Sequence, residues 1–87
     1  MSQTLDVRDT ALTVEQCEGI LRAVSEGSTM RYLCMEGNRN MRRVEAGLLG
    51  RAVARLETLD VRGTELSALQ IEEMQTAALR SSCRLYL

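Results

Sequence analysis

Apolar residues fall into two alternating rhythms along the chain. Four triplets, Leu5-Asp6-Val7, Leu33-Cys34-Met35, Leu59-Asp60-Val61 and Leu85-Tyr86-Leu87, place an apolar residue on either side of one variable position. That period of two marks a strand buried on one face. Between the triplets the rhythm changes to three and four. Val14, Cys17, Ile20, Leu21 and Val24 predict a first helix, and Val44, Leu48, Ala52 and Val53 a second from about Arg42 to Arg55. Ile71, Met74 and Ala78, with Leu79 at the margin of the same stripe, predict a third. Thr13-Val14-Glu15-Gln16 and Ser67-Ala68-Leu69-Gln70 each spell a capping box, in which hydroxyl and amide side chains satisfy the first free backbone N–H groups. Gly27 is placed to end the first helix. Gly47 and Gly50 weaken the second by about 1 kcal/mol each relative to Ala.

The rhythm repeats. TLDVRDTAL (4–12) and TLDVRGTEL (58–66) agree at seven of nine positions, 54 residues apart. The first leucines of the four triplets are spaced by 28, 26 and 26, so the echo spans two periods with a diverged copy between. Five residues after each of the first three leucines stands a small polar residue, Thr10, Asn38 or Thr64, followed by Leu12, Met41 or Leu66. Met30 and Leu56 precede the inner triplets by three residues, whereas Ser2 fills that slot in the first copy. Written out, MRYLCMEGNRNM and LETLDVRGTEL resemble the leucine-rich repeat signature L-x-x-L-x-L-x-x-N/C/T-x-L. The period, with a helix in each unit, is most similar to the ribonuclease-inhibitor-like class. Two of the three polar positions hold Thr where the signature favours Asn, and the NRNM turn is one residue longer. The resemblance implies a short α/β solenoid of repeats at about 1–29, 30–55 and 56–81 with a partial fourth at 82–87. In it a parallel sheet lines the concave side and helices the convex side.

The strands themselves favour that arrangement over a doubly wound sheet. Parallel strands covered on both faces read as unbroken apolar runs. Here Asp6 and Asp60 interrupt the triplets, and burying two unpaired carboxylates in a sheet centre would cost several kcal/mol. One covered face and one open face is the consistent solution. The leucines and their partners then point to the helices, while three rows face outward. These are Thr4, Tyr32, Thr58 and Arg84; Asp6, Cys34, Asp60 and Tyr86; and Arg8, Glu36 and Arg62. Alternating signs in the last row predict pairing across the sheet.

Composition narrows the chemistry. The 87 residues are one domain's worth, too few to bury more than about 60–65% of the unfolded surface. Histidine and proline are absent, all 11 basic residues are Arg, and Tyr is the sole aromatic type, present twice. Without His or Lys, the commonest neutral-pH base, the commonest metal ligand and Schiff-base chemistry are excluded. GNRN and VRGT match no phosphate-loop spacing, so neither enzyme activity nor a cofactor or metal is expected. Cys17, Cys34 and Cys83 form an odd set without C-x-x-C spacing, which favours reduced thiols inside a cell over a disulfide framework. No signal-like stretch or apolar run of membrane length is present. A net charge of −1 argues against nucleic acid, although Arg31, Arg39, Arg42 and Arg43 cluster near the middle turn.

The expectation is therefore a non-catalytic module that binds a protein partner through Asp6, Arg8, Tyr32, Cys34, Glu36, Asp60, Arg62, Arg84 and Tyr86, since Tyr and Arg are common interface anchors. A second possibility follows from the outer strands, which carry no polar capping repeats. The chain would then dock through its ends as a subunit or segment of a larger assembly, including onto a second copy.

Overall fold

The computed structural model describes residues 3–87, so the Ser2 slot of the first repeat lies outside the described residues. Four strands, β1 (Gln3–Asp6), β2 (Met30–Cys34), β3 (Thr58–Asp60) and β4 (Arg84–Tyr86), pair in parallel in chain order. Helices α1 (Val14–Ser25), α2 (Ala46–Val53) and α3 (Ala68–Ser81) separate them, making a small α/β fold. The register aligns Leu5, Leu33, Leu59 and Leu85 on one line, as the spacing of the triplets predicts. Leu33, Met35, Leu59 and Val61 are buried in a core with Cys17, Leu21, Leu48, Leu49, Val53 and Met74 from the helices. Leu5 and Leu85, on the outer strands, pack against the same core but stay half-buried.

Both capping boxes form. Gln16 N donates to Thr13 Oγ1 at 3.1 Å and Gln70 N to Ser67 Oγ at 3.2 Å, while each glutamine's Oε1 accepts from the cap's own N–H. The first helix ends at Glu26, and Gly27 follows at φ +101°, a conformation that costs other residues strain. After each of the first three triplets the chain turns through a left-handed residue at an equivalent position: Asp9 (φ 53°), Gly37 (φ 79°) and Gly63 (φ 69°). This is one of the two positions at which the echoes differ, RDT against RGT; the other is Ala11 against Glu65. Asp is among the few side chains that tolerate such a backbone.

The polar residue that follows each turn is structural. Asn38 is fully buried. Its amide donates to Val7 O at 2.9 Å and Met35 O at 3.2 Å, and its carbonyl accepts from Leu12 N at 2.9 Å. Buried Thr64 closes the third turn by donating to Val61 O, and Thr10 does the same to Val7 O on the exposed side.

Two expectations need correction. The second helix does not run from Arg42. Arg39–Arg43 form a 3₁₀ turn, Val44 is extended (ψ 140°), and α2 starts at Ala46. Buried Gln70 ties down this break, its Nε2 donating to Val44 O at 2.7 Å and, beside the Val44 N–H, to Met41 O at 2.9 Å. Leu79 does not join the inner stripe of α3; it is 87% exposed. Just past β4, Leu87 also remains 47% exposed beside it.

Asn38→Ala leaves the Leu12 N–H without its partner, at about 1–3 kcal/mol, and takes one of two donors from each of Val7 O and Met35 O. Urea unfolding is expected to show a loss of about 3 kcal/mol with unchanged denaturant dependence. Thr10→Ala, at an exposed turn, is expected to cost less than about 1 kcal/mol.

Candidate functional site

The alternate strand positions build the open face. Register places Thr4, Tyr32, Thr58 and Arg84 in one row and Asp6, Cys34, Asp60 and Tyr86 in the next, as the sequence spacing predicts. Tyr32 (38%) and Tyr86 (44%) are exposed, and with Thr4, Asp6, Leu33, Cys34, Thr58 and Asp60 they line a shallow depression of about 200 Å³. A larger depression, about 550 Å³, lies elsewhere, between α2 and α3.

Charge on this face is organised chiefly along the strands. Arg8 Nη2 lies 2.7 Å from Asp6 Oδ2, and Arg62 grips Asp60 through Nε (3.0 Å to Oδ1) and Nη2 (2.7 Å to Oδ2). The backbone N–H of each arginine also donates to the same aspartate, at 3.2 Å and 3.1 Å. Cross-strand contacts from Glu36 to Arg8 (4.0 Å) and Arg62 (3.8 Å) exist but are longer. The expected Arg8–Glu36–Arg62 pairing is thus secondary to two Asp-x-Arg clamps. The signal for these clamps was present in the sequence, because residues two apart on a strand share a face. Arg62 also lies over the Tyr86 ring, 5.7 Å from its centroid, a cation–π distance.

These contacts set the titration behaviour. Asp6 is held below its ordinary pKa, first by the Arg8 backbone N–H. Asp60 is held down first by the Arg62 guanidinium. Cys34 is pushed up by burial, and the neighbouring Asp60 and Asp6 charges raise it further. It is a half-buried, protonated thiol with no activating base, the opposite of a nucleophile's surroundings. Tyr32 is pushed up first by hydrogen bonding toward Glu57.

One cluster was not foreseen: ligand atoms of Cys34, Glu36 and Asp60 lie within 4.8 Å of one another. Arginine already supplies positive charge there, with Arg62 on Asp60 and both Arg8 and Arg62 near Glu36. A metal ion would have to displace those guanidiniums. Cys17 and Cys83 are buried and far from this face in role, packing in the core. No helix among the described residues is long and apolar enough to cross a membrane. Compared with protein-family models, curated proteins and solved structures, the chain matches none.

The Asp60 clamp has a pH signature. A carboxylate whose pKa is depressed on folding contributes stability above its unfolded value, near pH 4, and loses it as pH falls through the folded value. Urea unfolding at stepwise pH below about 4.5 is expected to show wild-type stability falling more steeply than that of Asp60→Asn. Parallel curves would mean that the clamp contributes nothing to folding.

Proposed function

We propose that the chain is a short leucine-rich-repeat solenoid of the ribonuclease-inhibitor-like class. It acts as a non-catalytic protein-interaction module, and its binding surface is the concave sheet face. Support for the solenoid comes from the unshifted leucine register, the buried asparagine after the middle turn and capping boxes at equivalent places in two repeats. The observation that carries the binding role is the display of Tyr32, Tyr86, Arg62 and Arg84 on successive rungs of a face that the helices leave open. A rigid sheet holds these anchors at strand spacing, so little ordering entropy is lost when a partner docks. Asp6, Arg8, Cys34, Glu36 and Asp60 form the floor and rim of the same surface.

The site gives catalysis little to work with. No imidazole exists, the carboxylates are clamped by arginine, and the depression is shallow. Binding without turnover is the reading that fits this chemistry.

A second reading, docking through the α3–β4 side, is favoured by one observation. Leu79 and Leu87 are exposed beside Leu85, Ala78 and Cys83 in an apolar depression of about 440 Å³. A second copy paired antiparallel along β4, centred on Leu85, would bring Cys83 opposite Leu87 and Arg84 opposite Tyr86. Both are favourable cross-strand pairs.

Affinity capture followed by titration separates the two readings. Tyr32→Ser with Tyr86→Ser is expected to weaken a captured partner at least about tenfold, and Leu79→Glu with Leu87→Glu to leave its affinity within about threefold. The reverse pattern would transfer function to the α3–β4 side. In light scattering across a dilution series, a mass that rises with concentration and reverts to monomer in Leu79→Glu would support self-docking. A monomer at every concentration would exclude it.

A further inference from the structure

The net charge of −1 conceals a division of charge across the molecule. All four strands run in the same direction, so the last turn of each helix and the first residues of the next strand share one edge. Backbone hydrogen bonds set that edge side by side: Glu57 N donates to Arg31 O and Arg84 N to Glu57 O, both at 2.8 Å. The segments that make the edge (22–32, 50–58 and 78–84) carry six arginines against two glutamates, leaving +4. The rest of the chain has five arginines against ten carboxylates, leaving −5.

Part of this polarity belongs to the helices. Arg22, Arg51 and Arg80 sit in the last turns of α1, α2 and α3, where they answer the free carbonyls. Each helix end is worth about −0.5 charge, so three of them leave the edge at about +2.5. Arg31, Arg55 and Arg84 lie outside the helices and have no such duty. Moreover, the ion pairs among the described residues involve Arg8 and Arg62 alone; none of the six edge arginines has a carboxylate within 4.0 Å there. The depression between α2 and α3 adjoins this edge, flanked by Arg51 and Arg80 and lined by the small residues Gly50, Ala54 and Ala77. A peptide backbone can approach such a floor closely.

We propose that this edge is a docking surface for a short acidic segment of a partner protein, whose carboxylates engage Arg55 and Arg31 while one end lies between Arg51 and Arg80. It is a different surface from the sheet face, meeting it at Arg84, and does not depend on that face binding anything. A protein segment suits it better than nucleic acid. The whole molecule spans only 27 × 25 × 20 Å, and the Debye length in physiological salt is about 8 Å. A long polyanion would run off the edge into the net-negative remainder. The aromatic side chains that stack bases are also scarce: Tyr32 is the single aromatic in the edge segments. Glu73 lines the same depression, its Oε2 3.7 Å from where a Cβ on Gly50 would stand, so the acidic stretch keeps to the Arg51 and Arg80 side and does not enter the depression fully.

Fluorescence anisotropy with labelled octaglutamate, at about 50 mM and about 200 mM salt, tests this directly. Saturable binding that weakens with salt is expected. Arg55→Gln with Arg80→Gln should weaken it about tenfold, and Arg39→Gln with Arg42→Gln, which removes the same charge elsewhere, by less than about threefold. Circular dichroism would establish that both variants stay folded. Equal losses in the two variants would reduce the effect to net charge and overturn the site. So would failure to saturate at millimolar peptide. Tighter binding of a single-stranded DNA of equal charge, with the same dependence on Arg55 and Arg80, would overturn the assignment to a protein partner.

Discussion

Turns buried between neighbouring strands must find partners for their backbone groups, and everything else in this fold depends on that being done. An unpaired buried amide or carbonyl costs about 1–3 kcal/mol, a large share of what an 87-residue chain can spare. Two side-chain amides solve the problem. Asn38 joins the turn after β2 to the turn before α1, through Val7, Met35 and Leu12. Gln70, from the first turn of α3, reaches back 29 and 26 residues to Met41 and Val44. With those carbonyls met, the turns can be tight, the strands stay in register and the leucines stack without a slip.

Register then dictates the face. Because side chains alternate, the line of leucines facing the helices obliges the intervening residues to face outward together. What they display is nearly neutral by construction. Each Asp-x-Arg clamp satisfies itself within one strand, so Asp60 can sit half-buried without becoming a stranded charge. Glu36 replaces neither clamp; it stands between them on the diverged middle strand and touches both arginines. The middle strand is therefore where the display changes character, with Tyr32 and Cys34 in place of threonine and aspartate.

Much of this was legible in the sequence, because local and periodic signals agreed. Triplet spacing located the strands and their alignment, and the capping boxes fixed the starts of α1 and α3. The failures have physical causes. Arg42-Arg43-Val44-Glu45 reads as the start of a helix, yet a hydrogen bond from Gln70, far along the chain, stabilises an extended residue there instead. Leu79 was misplaced because α3 also carries Leu69 on its outer side, so its apolar residues do not single out one stripe. The alternation of sign across the sheet points to cross-strand pairing, but the shorter ion pairs run along each strand, where Asp and Arg two residues apart share a face.

Charge shows the same lesson at larger scale. A net value near zero describes how the molecule behaves from several Debye lengths away, not what a partner meets on contact. In a parallel β-α arrangement all helices end at the same edge, so any preference for arginine in a helix's last turn adds up there rather than cancelling. Topology thus converts a local stabilising habit into a surface property. The arginines that exceed that habit, Arg31, Arg55 and Arg84, are the ones that helix stability leaves unexplained. With no carboxylate within 4.0 Å of them among the described residues, their charge is left for a partner to meet, which is the premise of the proposed acidic docking edge.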